Sequence, residues 1–534
     1  MNTERNKDGA GPRRAYRPLS RAGPGISRRG LLALGAGAAA VGLTFGRFPL
    51  AARGGAVRLA AAEGGDTLFE PPVRASRNGL LQTSLEASVV SHQIAGRTAI
   101  SNVYEGMFPS PTFRVRPGDT IKLRLSNQLD QLTNLHMHGF HVSPEGNSDN
   151  IFLHIQPGDT YDYEYEIPED HPSGLYWYHP HFHTLTTVQV FGGMAGAIIM
   201  EGDLDRLPGV AGARERLLLL HATQLLDSGT PTAFFDRNQV RYLRTVNGQI
   251  NPTFMIRPGE TQRLRIGNIS DGTWFWLQLD GHQMYQIAKD GNTFAATVKQ
   301  DKILIGPAER IEVLVQGGPA GSYPLRTLPF DQGFAVNPEV VLATMLSQGD
   351  SVQPAPLPSV LIPFKDLRQV TVDRRREISF TVLPRDDPQR ANFLINNKLF
   401  DENRVDIVPV LGSTEEWVLK NPSNVFHPFH IHINPFQVTS INGRPVDASS
   451  YEDTVTVPAR GEVVMRTQFL DYTGRYVFHC HILPHEDGGM MSVIDVVSPN
   501  DPLPPVTLDA NASGLQPLGQ YGRQQFSCPI GPAG

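Results

Sequence analysis

Short segments of alternating apolar and polar residues, separated by turns rich in Gly and Pro, run along most of the chain. Between Thr120 and Asn127 the apolar side chains of Ile121, Leu123 and Leu125 alternate with polar ones. A period of two places the apolar side chains on one face of a β-strand. Segments of this length, bounded by Gly and Pro, are typical of half-buried strands in β-sandwiches. The pattern therefore predicts an all-β protein.

One of these segments recurs along the chain. Residues 111–127 read PTFRVRPGDTIKLRLSN, and residues 252–268 read PTFMIRPGETQRLRIGN, with no gap between the two copies. A weaker third copy runs through Val410–Asn421. A second shared element, Gly-x-Tyr, begins another predicted strand after each copy, at Gly174, Gly321 and Gly474. This repeat predicts three homologous β-sandwich domains of about 145 residues each.

The repeats, the Pro-rich segment 353–363 and the composition of the two termini divide the chain into five segments. We predict an export leader without a fold of its own over 1–62, a first domain over 63–205, a second over 206–358, a third over 359–505 and a tail over 506–534.

Composition and charge narrow the class of protein. The chain has 534 residues, 17 His and only 2 Cys, so a disulfide scaffold is excluded. Its net charge is −6, yet the first 62 residues hold eleven Lys and Arg against two acidic residues. The remainder is therefore strongly acidic, at −15, which disfavours nucleic acid as a partner.

The basic N-terminus has the layout of an export signal. Arg28 and Arg29 precede Leu31 and Leu32, and an uncharged segment continues to Gly46. That segment is shorter than the roughly 20 apolar residues of a membrane-spanning helix, so we expect no stable membrane span. The paired arginines resemble a twin-arginine signal, which exports proteins already folded around a cofactor. We expect export to the periplasm, the cell envelope or the medium. The alternative, a basic tail for nucleic acid or membrane, does not explain the uncharged segment.

Eight histidines form four His-x-His pairs in the first and third repeats. Each pair places two imidazoles on one face of a strand. At the position of the first pair the second repeat has Leu277 and Leu279. Imidazole at this density suits copper, zinc or non-haem iron, so we predict a transition-metal cluster between the first and third domains. The pairs are His136 and His138, His179 and His181, His430 and His432, and His479 and His481.

Five further histidines stand alone in the sequence, and we do not predict that they bind metal. We expect them to be solvent-facing or hydrogen-bonded side chains of the fold, without a role in metal binding. They are His92, His154, His171, His221 and His282.

The third repeat carries a further donor set. His427 stands three residues before His430, Cys480 lies between the last two histidines, and His485 and Met490 follow. Two His, one Cys and a weak axial Met form the donor set of a blue-copper site. The first repeat has Thr, Pro and Leu at the positions of His427, Cys480 and His485. Such a site requires Cys480 to be a free thiolate.

The motifs HMHG, HPH, HPFHIH and HCHILPHEDGGMM, within residues 85–500, resemble those of three-domain bacterial multicopper oxidases of the laccase-like type. The resemblance implies three cupredoxin-like Greek-key domains and four copper ions. It assigns His427, Cys480, His485 and Met490 to the type 1 copper, and His136 and His430 to the type 2 copper. It assigns His138, His179 and His481 to one type 3 copper, and His181, His432 and His479 to the other.

The resemblance also implies an activity. Members couple one-electron oxidations of a reducing substrate at the type 1 copper to the reduction of dioxygen to water at the three-copper cluster. Phenols and aromatic amines are the substrates we expect. The alternative is a metallo-oxidase of cuprous or ferrous ion in metal homeostasis. Only 11 Met and no Met-rich insertion near the type 1 motif disfavour cuprous ion. A copper-free scaffold is disfavoured because Cys480, His479 and His481 are all present.

Reduction of dioxygen consumes protons, so carboxylates near the cluster are expected as donors. Glu486 resembles the family's acid near the type 3 pair, and Asp149 is a candidate near the type 2 copper. Either could instead accept a hydrogen bond from a ligand imidazole. We expect His141 and His183, beside the motifs, to support the site without binding metal.

Overall fold

The computed structural model describes residues 66–225, 229, 241–333, 335–383, 393–447 and 450–500. The predicted leader over 1–62 and tail over 506–534 lie outside the described residues. Strands dominate the described part of the chain, and its three helices are short. None of the described helices is long and apolar enough to cross a membrane. The predicted all-β fold class is confirmed.

The first domain consists of two sheets. One contains β1, β4, β9, β8 and β6 in that order, and the other contains β3, β2, β5 and β7. Its elements are β1 (Val73–Ala75), β2 (Leu80–Ile94), β3 (Arg97–Tyr104), β4 (Ser110–Val115), β5 (Thr120–Asn127), β6 (His136–His138), β7 (Thr160–Glu166), β8 (Gly174–His179), α1 (Thr186–Gly192), β9 (Gly196–Met200) and α2 (Asp203–Arg206).

The second domain also has two main sheets. Their strand orders are β11, β10, β13, β18, β15, β16 and β12, β22, β19, β14, β17, and β20 pairs with β21. The strands are β10 (Arg214–Leu225), β11 (Arg241–Val246), β12 (Thr253–Ile256), β13 (Thr261–Asn268), β14 (Phe275–Leu279), β15 (Met284–Lys289), β16 (Asn292–Gln300), β17 (Ile303–Ile305), β18 (Arg310–Gln316), β19 (Gly321–Leu328), β20 (Phe330–Asp331), β21 (Val336–Asn337) and β22 (Val340–Ser347).

In the third domain a 3₁₀ turn at Leu367–Gln369 precedes two sheets, whose strand orders are β24, β23, β25, β30, β27, β28 and β29, β26, β31, β32. Its elements are β23 (Arg374–Val382), β24 (Phe393–Ile395), β25 (Thr414–Asn421), β26 (His427–Ile431), β27 (Phe436–Ile441), β28 (Arg444–Pro445), β29 (Thr454–Val457), β30 (Gly461–Gln468), β31 (Gly474–Cys480), α3 (Leu483–Asp487) and β32 (Met491–Val496).

The three copies of the repeat fold in the same way. The glycine in the turn of each copy, Gly118, Gly259 or Gly412, has a positive φ of 83°, 82° or 91°. This left-handed conformation favours glycine because it lacks a Cβ. The strand after each turn pairs in parallel with the first long strand of its own domain, as β2 with β5, β10 with β13, and β23 with β25. Each Gly-x-Tyr element lies at the start of a strand, and that strand begins at the glycine of the element.

Each domain has its own apolar core, and a further cluster of buried side chains joins them. Trp274 comes from the loop before β14 of the second domain, but it belongs to the core cluster of the third. Its indole Nε1 donates a hydrogen bond to Thr456 Oγ1 at 3.0 Å. A buried aromatic side chain that also makes a hydrogen bond fixes one domain against another more closely than apolar contact alone.

Candidate metal centre

Four strands from two domains position the four His-x-His pairs: β6 contains both histidines of its pair, whereas β8, β26 and β31 contain the first histidine of theirs and end before the second. In the first domain β6 pairs with β8, and His136 lies directly opposite His179. In the third domain β26 pairs with β31, and His430 lies directly opposite His479. The two domains thus present matching imidazoles in the same register. All eight side chains are buried, with exposures of 0 or 1%.

The two domains meet through these rings. His136 of the first domain stacks on His432 of the third, and His138 stacks on His430, each with ring centroids 3.8 Å apart. The interplanar angles are 13° and 15°. Each ring of the first predicted pair therefore lies flat against a ring from a different domain.

Three imidazoles converge on one point. The Nε2 atoms of His181, His432 and His479 lie 3.1 to 3.3 Å from one another. A neutral imidazole carries one N–H, so hydrogen bonds alone do not satisfy three ring nitrogens that face each other in this way. A metal ion about 2 Å from each nitrogen would satisfy all three.

A second group of three lies beside the first. Ligand atoms of His138, His179 and His481 are within 4.8 Å of one another. His138 Nδ1, His179 Nε2 and both ring nitrogens of His481 are buried without a hydrogen-bond partner. Buried polar atoms of this kind are costly unless a partner such as a metal ion occupies the space between them.

His136 and His430 complete the cluster. Nδ1 of His136 lies 2.9 Å from a carboxylate oxygen of Asp149, and Nδ1 of His430 lies 2.8 Å from the main-chain oxygen of Asp453. The Nε2 atoms of both histidines are buried and unpartnered. An outer hydrogen bond on one ring nitrogen fixes the tautomer that leaves the other nitrogen free for a metal.

Burial also sets the protonation of these rings. It lowers the pKa of His136, His138 and His432 well below the usual value, and neighbouring imidazoles lower it further. Burial lowers the pKa of His181 to about 4, although Glu486 acts in the opposite direction. These rings are neutral at pH 7, which is the form that binds transition metals.

Three members of the second predicted donor set, His427, Cys480 and His485, also come together. Cys480 Sγ lies 3.3 Å from Nδ1 of His427 and 3.7 Å from Nδ1 of His485, and the two Nδ1 atoms are 3.3 Å apart. Met490 is fully buried, and its main-chain oxygen accepts a hydrogen bond from the Cys480 amide at 3.1 Å. These positions fit a single ion bound by sulfur and two imidazoles.

Cys480 is a free, buried cysteine. Burial raises the pKa of its thiol well above the usual value. A thiolate at this position therefore needs a neighbouring positive charge, and a bound metal ion would supply it. The donor set and its surroundings consequently fit copper better than they fit a metal-free thiol.

Both predicted carboxylates contact imidazoles that are predicted as ligands. Glu486 is fully buried, 3.0 Å from His479 Nδ1 and 3.6 Å from His181 Nδ1. Burial raises its pKa. Asp149 also accepts a hydrogen bond from the Met137 amide, and burial raises its pKa to about 8.

The remaining histidines lie outside the two donor sets. His141 contacts Ile433 O and Asp471, and the ring of His183 packs against Phe400. His221 is fully buried against Phe108, 4.8 Å between ring centroids. His221 differs from the expectation for a lone histidine, because it is buried and neither of its ring nitrogens has a hydrogen-bond partner among the described residues. That His141 and His183 support the site without binding metal stays a prediction.

Sequence reasoning missed two side chains beside the cluster, Asp453 and Arg310. Asp453 Oδ1 lies 3.2 Å from His138 Nε2, and Arg310 forms an ion pair with Asp453. Neither residue stands in a histidine motif, and 143 residues separate them in the chain. No local sequence pattern could have brought them together.

A cavity of about 240 Å³ lies against one side of the cluster. His181 forms part of its wall, together with Met491 and the side chains of two loops, 151–154 and 400–402. A space of this size beside a predicted ligand imidazole has room for a small molecule such as dioxygen or water.

Comparison with known proteins identifies the family. Sequence models described as "Multicopper oxidase" match residues 371–500, 87–204 and 215–347. The chain is 28% identical over 407 residues to multicopper oxidase mco of Staphylococcus aureus, covering 74% of this chain and 83% of the relative. It is 26% identical over 469 residues to a laccase of Bacillus stratosphericus, covering 74% and 90%.

Solved structures agree with the sequence matches. The multicopper oxidase from Campylobacter jejuni, described as a metallo-oxidase, is 27% identical, with a TM-score of 0.73 over 81% of this chain and 96% of that one. The three family matches lie one on each predicted domain and together span more than half of the chain. With buried histidines and a free cysteine arranged as a copper enzyme requires, the chain belongs to the multicopper oxidase family.

Proposed function

We propose that this multicopper oxidase binds four copper ions and oxidises small phenols or aromatic amines. The type 1 ion would be held by His427, Cys480, His485 and Met490, and the type 2 ion by His136 and His430. The two type 3 ions would be held by His138, His179 and His481, and by His181, His432 and His479. When bound, these ions accept single electrons from the substrate and use four of them to reduce dioxygen to water.

One observation carries the proposal. The Cys480 site and the eight-histidine cluster are joined by adjacent residues, since His479 and His481 flank Cys480 in the chain. The sulfur faces His427 and His485, while the two flanking imidazoles face the cluster. A short covalent route along the main chain therefore links the site that meets the substrate with the site that meets dioxygen.

In this proposal the protein orients the ligand imidazoles, encloses the cluster away from bulk water and supplies protons to it. Asp149 and the main-chain oxygen of Asp453 hold the outer nitrogens of His136 and His430, so their inner nitrogens stay free. Complete burial of the rings excludes bulk water and keeps partly reduced oxygen from escaping. Glu486, whose pKa is raised by burial, lies close enough to two of the proposed ligand imidazoles to supply protons to the cluster.

Aromatic side chains surround the Cys480 site. Phe393 stacks on His485 with ring centroids 4.0 Å apart, and Phe380 stacks on His427 at 5.7 Å. Apolar aromatic surroundings suit an uncharged aromatic substrate better than a hydrated cation. This observation favours the laccase-like activity over the metallo-oxidase alternative.

A metallo-oxidase of ferrous or cuprous ion is the second candidate. The Campylobacter jejuni structure is described as a metallo-oxidase, and it is as similar to this chain as the laccases are. Family membership therefore supports both substrate classes, and kinetics must separate them.

We further propose that the protein is exported by the twin-arginine route, on the basis of Arg28, Arg29 and the uncharged segment that follows. Changing both arginines to Lys should leave the protein in the cytoplasm, because the export machinery reads the arginine pair. Fractionation followed by immunoblotting measures this. The matched control changes Arg13 and Arg14 to Lys and should still be exported. Export of the R28K/R29K variant at the normal level would contradict the proposal.

Replacing Cys480 with Ser tests the type 1 assignment. The copper-loaded wild-type protein should be blue through charge transfer from the Cys480 thiolate, and C480S should lose the colour and the oxidase activity. Visible absorbance and oxygen consumption measure the two effects. C528S is the matched control and should remain blue and active. A blue or fully active C480S variant would show that the assignment is wrong.

Replacing Glu486 with Gln tests the proton supply. Gln has the same shape but holds no transferable proton, so kcat should fall by roughly 100-fold while the blue absorbance is unchanged. Oxygen consumption at saturating substrate measures kcat. D487N is a close control, because Asp487 is also buried but its carboxylate accepts a hydrogen bond from the Thr187 amide. Equal losses in both variants, or no loss in E486Q, would argue against a proton donor at Glu486.

The substrate class follows from a direct comparison. We expect kcat/KM for a phenol to exceed that for ferrous or cuprous ion, because aromatic rings cover both imidazoles of the Cys480 site. Oxygen consumption with each reductant, corrected for spontaneous oxidation, measures this. A higher kcat/KM for ferrous or cuprous ion would establish the metallo-oxidase alternative instead.

A further inference from the structure

The second domain supplies none of the predicted ligands, yet one of its side chains reaches the edge of the cluster. Arg310 is the first residue of β18 and is only 1% exposed. Its guanidinium forms two parallel hydrogen bonds with Asp453 of the third domain, Nη1 to Oδ1 at 2.7 Å and Nη2 to Oδ2 at 2.6 Å. A bidentate pair of this kind fixes both the position and the plane of the carboxylate.

The same guanidinium is held by all three domains. Its Nε donates to the main-chain oxygen of Leu175 in the first domain at 3.2 Å, and Nη1 also donates to Ala308 O in the second at 3.1 Å. With Asp453 in the third domain, every domain contributes an acceptor. The orientation of Arg310 is therefore fixed by the way the three domains pack together.

Asp453 in turn contacts two of the predicted copper ligands. Its Oδ1 lies 3.2 Å from Nε2 of His138, a type 3 ligand. The same oxygen is 3.6 Å from Nδ1 of His430, a type 2 ligand, and the main-chain oxygen of Asp453 is 2.8 Å from that nitrogen. These contacts occupy the outer nitrogen of each ring. The free nitrogens, His138 Nδ1 and His430 Nε2, are the two that lack a partner.

The first histidine motif accommodates this ion pair. Gly139, directly after His138, has a φ of +88°. A Cβ at this position would lie 2.4 Å from Asp453 Oδ2 and 2.6 Å from Arg310 Nη2. The glycine of HMHG therefore leaves the space in which the carboxylate and the guanidinium meet.

Asp290, the residue directly after β15, binds the main-chain amides of Arg310 itself and of Thr454, which follows Asp453. Its Oδ1 accepts a hydrogen bond from the Arg310 amide at 2.9 Å, and its Oδ2 accepts one from the Thr454 amide at 3.3 Å. The residues that carry the ion pair are thus held by main-chain contacts as well as by their side chains.

We propose that Arg310 is a positioning residue for the copper cluster, through which the ligand-free second domain orients one type 2 and one type 3 ligand. Arg310 holds the Asp453 carboxylate in place, and Asp453 holds the outer nitrogens of His430 and His138. Without the guanidinium, the buried carboxylate loses the partner that fixes its position and plane, and it is free to turn. Turning removes its contact with His138 Nε2 and shifts the residue whose main-chain oxygen holds His430 Nδ1, so both imidazoles lose the orientation that a metal requires.

This inference rests on the proposed copper sites but not on the substrate or on the oxidase reaction. The test therefore measures copper binding. The R310M, R310K and wild-type proteins are loaded with copper, and type 2 copper is followed by electron paramagnetic resonance during titration with a chelator. The blue absorbance of the Cys480 site, which lies outside these contacts, reports on correct folding of each variant.

We expect R310M to remain blue and to bind type 2 copper about 10- to 100-fold more weakly, the range found when partners of ligand imidazoles are removed. The affinity of R310K for type 2 copper should lie between those of R310M and the wild type, because Lys keeps the charge of Arg but not its planar fork of donors.

Arg265 offers a matched control. It is equally buried in the second domain and pairs with Glu312 at 2.8 Å, but its ion-pair partners, Asp205, Glu215 and Glu312, include no histidine.

R265M should keep wild-type affinity for type 2 copper. Unchanged affinity in R310M would overturn the proposal, as would an equal loss in R265M, which would indicate a general effect of removing a buried charge. If R310M does not fold, the R310K variant tests the proposal instead. A blue R310K protein with wild-type affinity for type 2 copper would also overturn the proposal. A wild-type protein that binds no copper would instead refute the proposed function itself.

Discussion

The site depends on one constraint: several buried imidazoles must each be neutral and must each turn one ring nitrogen inwards. An unpartnered nitrogen in a dry interior costs free energy, and the cost is multiplied when several of them face the same space. The fold meets part of this constraint by occupying the outer nitrogens of three rings. Asp149 and the main-chain oxygens of Pro180 and Asp453 contact the outer nitrogens of His136, His179 and His430. A metal ion bound by the inner nitrogens removes the remaining cost.

The register of the strands places the histidines of the two domains on facing sides of the cluster. Residues two apart share one face of a strand, so a single His-x-His pair gives two imidazoles on the same side. The opposition of His136 to His179 repeats that of His430 to His479, because the two domains fold from the same repeat. A slip of one residue in either pair would turn both rings to the other face. Matching registers therefore allow two domains to close around one cluster.

Much of this arrangement follows from the sequence, because its determinants are local. Alternation and the repeat predict the strands and the three sandwiches, and the period of two predicts which histidines share a face. The sequence also predicts the carboxylates of Glu486 and Asp149 as candidates, because both residues lie close to the histidine motifs in the chain. The domain boundaries and the ligand roles of the individual histidines stay predictions.

What the sequence leaves out concerns contacts between distant segments. The stacking of His136 on His432 follows from the angle at which two domains meet, and no spacing along the chain encodes that angle. The pairing of Arg310 with Asp453 has the same origin, since each residue alone resembles an ordinary charged side chain near a strand end. Sequence motifs predict the donors, whereas domain packing determines which groups surround them.

Domain packing also explains why a domain without predicted ligands belongs to this architecture. The second domain contributes apolar contact through Trp274 and charged contact through Lys289, whose ammonium lies 2.7 Å from Glu452 of the third domain. Apolar surfaces stabilise an interface but tolerate sliding, whereas buried ion pairs are less favourable in energy and strict in geometry. A cluster assembled from two domains needs their relative position fixed to a fraction of an ångström. Directional contacts from a third domain, next to residues that hold the ligands, meet that requirement without adding a ligand.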